Sequence, residues 1–594
     1  MDIRPLRAGP LALVFDADTG EVCNVHAGRF EILRGINVRV RDRYWTTVPA
    51  LISDLSIEQR DKVFEVRFSA RCLAGDIDFG WQGRIRGADG SLAYEFEGEA
   101  RSRFERNRIG FCVLHSARVA GEACELEHVG GGRRNAFFPR DISPHQPFLN
   151  LRSISHEFAP GQRVEARMEG DDFEMEDQRN WTDASFKTYC TPLALPRPVL
   201  VAKGTCIRQR IEVRLTGAIT NAPRGFIFPW MPPPVVEIHV DQSSGHRTPS
   251  LGIIWNAGVP TKFISEVLRP MRLDHLRVDL KLNQASFRDR LSEAVSASET
   301  TETQLELALV VDADAESQVS ECLAHLRTLT PQPVIARWLI FHESSDCTPP
   351  ELVEMLRKHV AVTSFAAPVG GGSRENFAEL NREPGIGLAA DFIAYGLNPQ
   401  VHAFDADSLI ETLAVQGATV ENARRVSGGR PVVVSPVTLT PRCRPDATRR
   451  APFPHPGETS FREDSRHGTL FGAAWTLGSL ASLAAQGAAS ATYYETVGPN
   501  GVVDSEGRLL PVGEVFRKIS ISAGGVVMRT QSSHPNHAAA YAVEKDGVCR
   551  LTIANLKRVP QRVRIIAVND IHALDLAPHE VRTLEVAPFV QRHG

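Results

Sequence analysis

Two hydrophobic periods, one following the other, constrain this chain most. Through about residue 220, apolar and polar residues alternate in short runs, as in Lys62-Val63-Phe64-Glu65-Val66-Arg67-Phe68-Ser69-Ala70, Ser91-Leu92-Ala93-Tyr94-Glu95-Phe96-Glu97-Gly98 and Arg208-Gln209-Arg210-Ile211-Glu212-Val213-Arg214-Leu215. A period of two places every second side chain on one face, so each run predicts a half-buried strand. Turn pairs such as Asp89-Gly90 separate the runs, and many short strands of this kind predict an antiparallel β-sandwich over 1–222. The run Pro229-Trp230-Met231-Pro232-Pro233-Pro234 suits neither a sheet nor a helix and reads as a linker.

Beyond it, apolar strands alternate with helical stretches. Candidate strands are Leu251–Trp255, Leu276–Leu280, Leu305–Val310, Val334–Ile340, Ala361–Ala366, Leu388–Ala394, Pro431–Ser435 and Ala491–Tyr494. Helical patterns lie between most of them, at Ala315–Leu329, Pro350–His359, Ser408–Gln416 and Gly468–Ala485. This repetition predicts a (β/α)8 TIM-like barrel over 235–522. An open doubly wound sheet is the alternative, but no Gly-rich phosphate turn follows the first strand. Strand patterning returns at Ala538–Val543 and Val548–Ala554, with a turn at Asp546-Gly547, and predicts a small C-terminal β-sandwich over 523–594. A chain of 594 residues is too long for one core, which agrees with several domains.

Composition narrows the partners. A net charge of -4 offers no basic face for nucleic acid. The N-terminal residues carry no apolar signal core, and the ten cysteines form no CxxC pair, so a cytoplasmic location is expected. The small-residue stretch Gly468–Ser490 reads as a barrel helix, and no membrane partner is expected. No HExxH motif marks a metal site, although scattered Asp, Glu and His can still meet in space; no metal or other cofactor is expected, and with no GxSxG elbow neither is a serine-esterase triad. Oligomeric state is left open.

Barrel sites lie at the C-terminal ends of the strands. There the chain places Asp279 and Lys281 after the second strand, beside Arg277, and Glu343 after the fourth, in the pair His342-Glu343. The run Gly370-Gly371-Gly372 reads as a loop after the fifth strand, there either for close backbone approach to a ligand or for flexibility, followed by Arg374, Asn376, Glu379, Asn381 and Arg382. Asn398, His402 and Asp405 follow the sixth strand, and Glu495 follows Tyr493-Tyr494 at the eighth. Glu495, Glu343 and His402 are the candidate acids and bases, with His402 oriented through Asp405, or Asp405 capping the next helix. Asp279, Lys281, Asn398, Arg374 and Asn376 are candidate substrate ligands, and Arg442 and Arg444 can join the same rim. The seventh strand offers no carboxylate where a retaining glycosidase needs one, which weighs against the alternative of a glycoside hydrolase. A non-catalytic sugar-binding protein fits so many ionisable groups least.

A further segment, Phe173 to Pro192, packs Glu174, Glu176, Asp177, Arg179, Asp183 and Lys187 among Trp181, Phe186 and Tyr189. Dense mixed charge among aromatics suits a packed polar site, either a ligand site using Glu176, Arg179 and Trp181 or an interdomain salt-bridge network. Together with Phe138-Pro139-Arg140-Asp141-Ile142-Ser143-Pro144-His145-Gln146-Pro147-Phe148 and Gly396-Leu397-Asn398-Pro399-Gln400-Val401-His402-Ala403-Phe404-Asp405, it resembles the D-apionate lactonase family along nearly the whole chain. The resemblance implies hydrolysis of D-apionolactone to D-apionate in bacterial catabolism of the branched sugar apiose. It brings no catalytic assignment with it.

Overall fold

A computed structural model describes residues 2–60, 62–217, 235–258, 262–383, 385, 389–442, 463–567 and 570–586. The expected linker at 229–234 and Arg444 lie outside these residues. The chain divides into two compact units.

The described part of the first unit spans 2–179 and 184–217. Its seventeen strands join in one hydrogen-bonded sheet. The expected alternation is present: along Val63–Ala74 and Ser91–Ala100, every second side chain is buried. Ala88 pairs with Ser91, so Asp89 and Gly90 form a two-residue hairpin turn. Both have positive φ, 45° and 80°, as the right-handed twist of the flanking strands demands. The inward rings make the core; Phe68 lies 5.3 Å from Trp81 and 5.6 Å from Phe15, centroid to centroid.

The second unit comprises 180–183 and the described residues from 235 onward. Its parallel strands are Ser250–Ile254, His275–Lys281, Gln304–Val311, Ile335–His342, Val369–Gly372, Phe392–Leu397, Val432–Val437 and Ser490–Val497. Each pairs with the next, and the first also pairs with the last through Ser250↔Ser490, which closes the ring. The stretch Gly468–Ser490 holds the helix Leu470–Ala485, which packs between barrel and C-terminal strands. No helix among the described residues is long and apolar enough to cross a membrane.

The fifth strand corrects the sequence reading. Ala361 ends the helix Pro350–Ala361, and the glycines taken for a loop are the strand Val369–Gly372 itself. Crowding explains them. A Cβ on Gly370 would stand 2.5 Å from the Phe392 ring, one on Gly371 2.7 Å from Thr348 Oγ1, and one on Gly372 1.9 Å from the Ala394 carbonyl oxygen. The expected helix Ser408–Gln416 is two, Ala406–Glu411 and Leu413–Val426.

A separate seven-stranded sheet holds the C-terminal strands. Val236–Arg247, inside the stretch expected for the barrel, lies in this sheet, between Gln561–Ala567 and Val526–Ser532. Its apolar residues Val236, Ile238 and Val240 bury against Leu551, Ile553 and Ile565.

Candidate active site

A small open cleft lies at the C-terminal ends of the fifth, sixth and seventh barrel strands, lined by Arg374, Glu375, Asn376, Gly396, Leu397, Asn398, Pro436, Thr438 and Arg442. Four sequence candidates meet there: Arg374, Asn376, Asn398 and Arg442. Glu375 was missed, although its place beside Arg374 at a strand end was the available signal.

The fifth strand delivers the first wall. Asn376 caps the helix Phe377–Arg382 in a capping box with Glu379, whose carboxylate accepts from the Asn376 backbone N–H at 3.1 Å. Burial, outweighing its hydrogen bonds, pushes the Glu379 carboxyl up to about 7. The Asn376 Oδ1 accepts from Asn398 Nδ2 at 3.3 Å, while its own Nδ2 is buried with no acceptor among the described residues. A buried donor left so costs about 1–3 kcal/mol.

Arg442 is held from below. Its Nη2 donates to Asp279 Oδ2 at 2.7 Å, and Arg277 donates to Asp279 Oδ1 from Nη2 at 2.7 Å and Nε at 3.2 Å. Arg277 is fully buried, and its other guanidinium nitrogen donates to the Ser435 carbonyl at 2.6 Å and to Ser435 Oγ at 2.9 Å. Burial alone would raise the Asp279 carboxyl, but the two guanidiniums hold it well below the usual carboxylate range. Asp279, expected as a direct ligand, therefore gives both oxygens to arginines. Lys281, two residues on, is exposed.

The segment Asn180–Asp183 belongs to the same unit and engages the loops after the fifth and sixth strands. Asn381 Nδ2 donates to Asn180 Oδ1 at 2.9 Å, and Arg382 stacks over Trp181 at 5.1 Å. Trp181 meets His402 edge to face at 5.4 Å, and His402 Nδ1 bonds Asp183 Oδ2 at 2.7 Å. Thr182, a β-branched residue with φ +69°, directs Oγ1 to the Asn398 carbonyl at 3.4 Å. Such a backbone is strained. His402 thus takes Asp183 rather than Asp405 as its partner; Asp405 accepts from Ser408 N–H at 2.9 Å and caps the helix Ala406–Glu411.

The other candidates stand apart from the cavity lining. Glu495 accepts from Asn256 Nδ2 at 2.9 Å at the tip of the eighth strand. Tyr494 has φ +46° and adds a bulge there, so that Tyr493 and Tyr494 both turn to one helix, onto Ser479 at 2.9 Å and Thr476 at 2.7 Å. Glu343 is exposed and accepts from Asn283 Nδ2 at 3.1 Å.

Glu176 and Arg179, expected as ligands, lie in the first unit. Glu176 pairs with Lys187 at 2.5 Å. Arg179 grips Asp177 at 2.7 Å and donates to the carbonyls of Pro139, Arg140 and Asp141. These contacts use every nitrogen of its guanidinium, as a buried charge requires.

Comparison with known proteins covers both units. Residues 1–218 match the N-terminal domain of D-apionate lactonase, and residues 261–524 match its TIM barrel domain. The chain is 31% identical to the D-apionate lactonase of Brucella anthropi over 98% of this chain and 96% of that one. Among solved structures it is similar to a GH30 endoxylanase from Clostridium papyrosolvens, at 10% identity and a TM-score of 0.42, covering 60% of this chain and 100% of that one. It is also similar to CelM2, a bifunctional glucanase-xylanase from a metagenome library, at 10% identity and a TM-score of 0.43, covering 60% and 99%. Both domain matches and the full-length relative agree: the chain belongs to the D-apionate lactonase family.

Proposed function

We propose that this protein hydrolyses D-apionolactone to D-apionate in the catabolism of apiose. The observation that carries the reading is the match to both lactonase domains, reinforced by a full-length relative of that activity. The first unit is read as an antiparallel sandwich and the closed ring with its helices as a (β/α)8 barrel. The alternating burial and the Ser250↔Ser490 closure support this. Val236–Arg247 is assigned to the C-terminal domain, whose sheet it shares. The free cysteines suit a cytoplasmic enzyme.

In the proposed chemistry a water oxygen attacks the lactone carbonyl carbon as a base takes its proton. The acyl–oxygen bond then breaks, and the departing ring oxygen is protonated. Arg374 and Arg442 suit the carbonyl and the carboxylate that replaces it. Glu495, anchored by Asn256, is the proposed base, and His402, oriented by Asp183, the proposed acid. Glu343 remains a second candidate for either role.

Acid release from D-apionolactone, followed by pH-stat with and without chelator, tests the activity. Release above the spontaneous rate is expected, and its absence removes the reading. Glu495→Gln should lower kcat by about 10²–10⁴-fold; near-normal turnover reassigns the base.

A further inference from the structure

We infer that the Asn376 side-chain amide is an oxyanion donor, its Nδ2 receiving the carbonyl oxygen of a five-membered hydroxylactone as that oxygen takes up negative charge. The inference rests on the lactonase reading above and adds to it the group that meets the reacting oxygen.

Two structural facts set the amide's orientation. The Asn398 amide donates to Asn376 Oδ1 at 3.3 Å, and the capping box brings the Glu379 backbone N–H to the same side chain. Two donors converging on one end of a carboxamide identify that end as the oxygen. The NH₂ is the other end. It is buried without an acceptor among the described residues, and the residue, 3% exposed, lines the cavity. Buried donors in folded proteins almost always have a partner, and this one has none among the described residues and belongs to a residue of the cleft wall.

The surroundings favour an anionic oxygen. Arg374 and Arg442 line the same cavity, and Arg442 is fixed by Asp279. Water attack moves an electron pair from the carbonyl π bond onto the carbonyl oxygen. The pair returns when the acyl–oxygen bond breaks. A donor already held in place stabilises that oxygen without reorganising. The same donor then faces a carboxylate oxygen of the ring-opened acid, so the pocket should also bind the product.

Asn376→Asp separates this role from capping. Aspartate caps as well as asparagine does and keeps an oxygen for the Asn398 and Glu379 donors, but replaces the free donor with a charged acceptor. The expected result is a protein that still unfolds cooperatively, a kcat about 10²–10³-fold lower on D-apionolactone, and weaker inhibition by D-apionate. Asn376→Ser, which also retains a capping oxygen but loses the Nδ2 amino group, should behave alike. A kcat within threefold of wild type in either folded variant overturns the inference and leaves the lactonase reading standing. A wild-type enzyme that releases no acid overturns both.

Discussion

Asp279 holds one guanidinium on each carboxylate oxygen, so its contribution to the site passes through Arg442. Replacing it by asparagine should leave Arg442 loosely placed and lower kcat/KM by about tenfold or more, mainly through KM. Because the two residues act as a unit, Asp279→Asn should add little to Arg442→Gln, a non-additivity that a double-mutant cycle in kcat/KM would show. The strand-end position of Asp279 was legible from alternation, but only one of its two partners was. Arg277 was two residues away and readable; Arg442 stands 163 residues away, where only the barrel's curvature brings it close. The same holds for His402: its real partner, Asp183, lies 219 residues back, while the nearby Asp405 had a local task as a cap.

Among the elements, those with a local signal were readable and those shaped by their neighbours were not. Alternation and paired turn residues carry their own geometry, so Val63–Ala74 and the Asp89-Gly90 hairpin could be placed from the sequence. The fifth barrel strand inverts that rule. Three glycines have little strand propensity, and they form a strand because Phe392, Thr348 and Ala394 leave no room for a side chain. Gly372, with φ +146° and a backbone oxygen 1.9 Å from the site of any Cβ, is the most restricted. Gly372→Ala should destabilise the protein by at least about 2 kcal/mol, read from urea midpoints. It should also displace Arg374 and Asn376, which follow directly, and so lower activity in the fraction that remains folded.

At the scale of the molecule, each unit buries a histidine in neutral form. Burial pulls His115 in the first unit down to about 3, with His156 nearby adding to the shift, and likewise His275 in the second down to about 3. The unfolded chain would protonate both near 6.5, whereas the folded units resist until about 3. The unfolded state thus binds more protons across this window, and stability present above 6.5 is lost as pH falls towards 3. Urea midpoints should drop between pH 7 and pH 5, and His115→Gln and His275→Gln should each flatten that slope. An unchanged slope in both would assign the acid sensitivity to other groups. The seven-stranded sheet has a further consequence, which concerns synthesis. Its strand Val236–Arg247 leaves the ribosome about 280 residues ahead of one flanking strand and about 315 ahead of the other. At about 5–20 residues per second, both edges of that strand wait unpaired for roughly 14–60 s. Through that interval the nascent chain carries an open template for strand addition, so chaperone occupancy during translation should peak between the emergence of Val236 and that of Ala567.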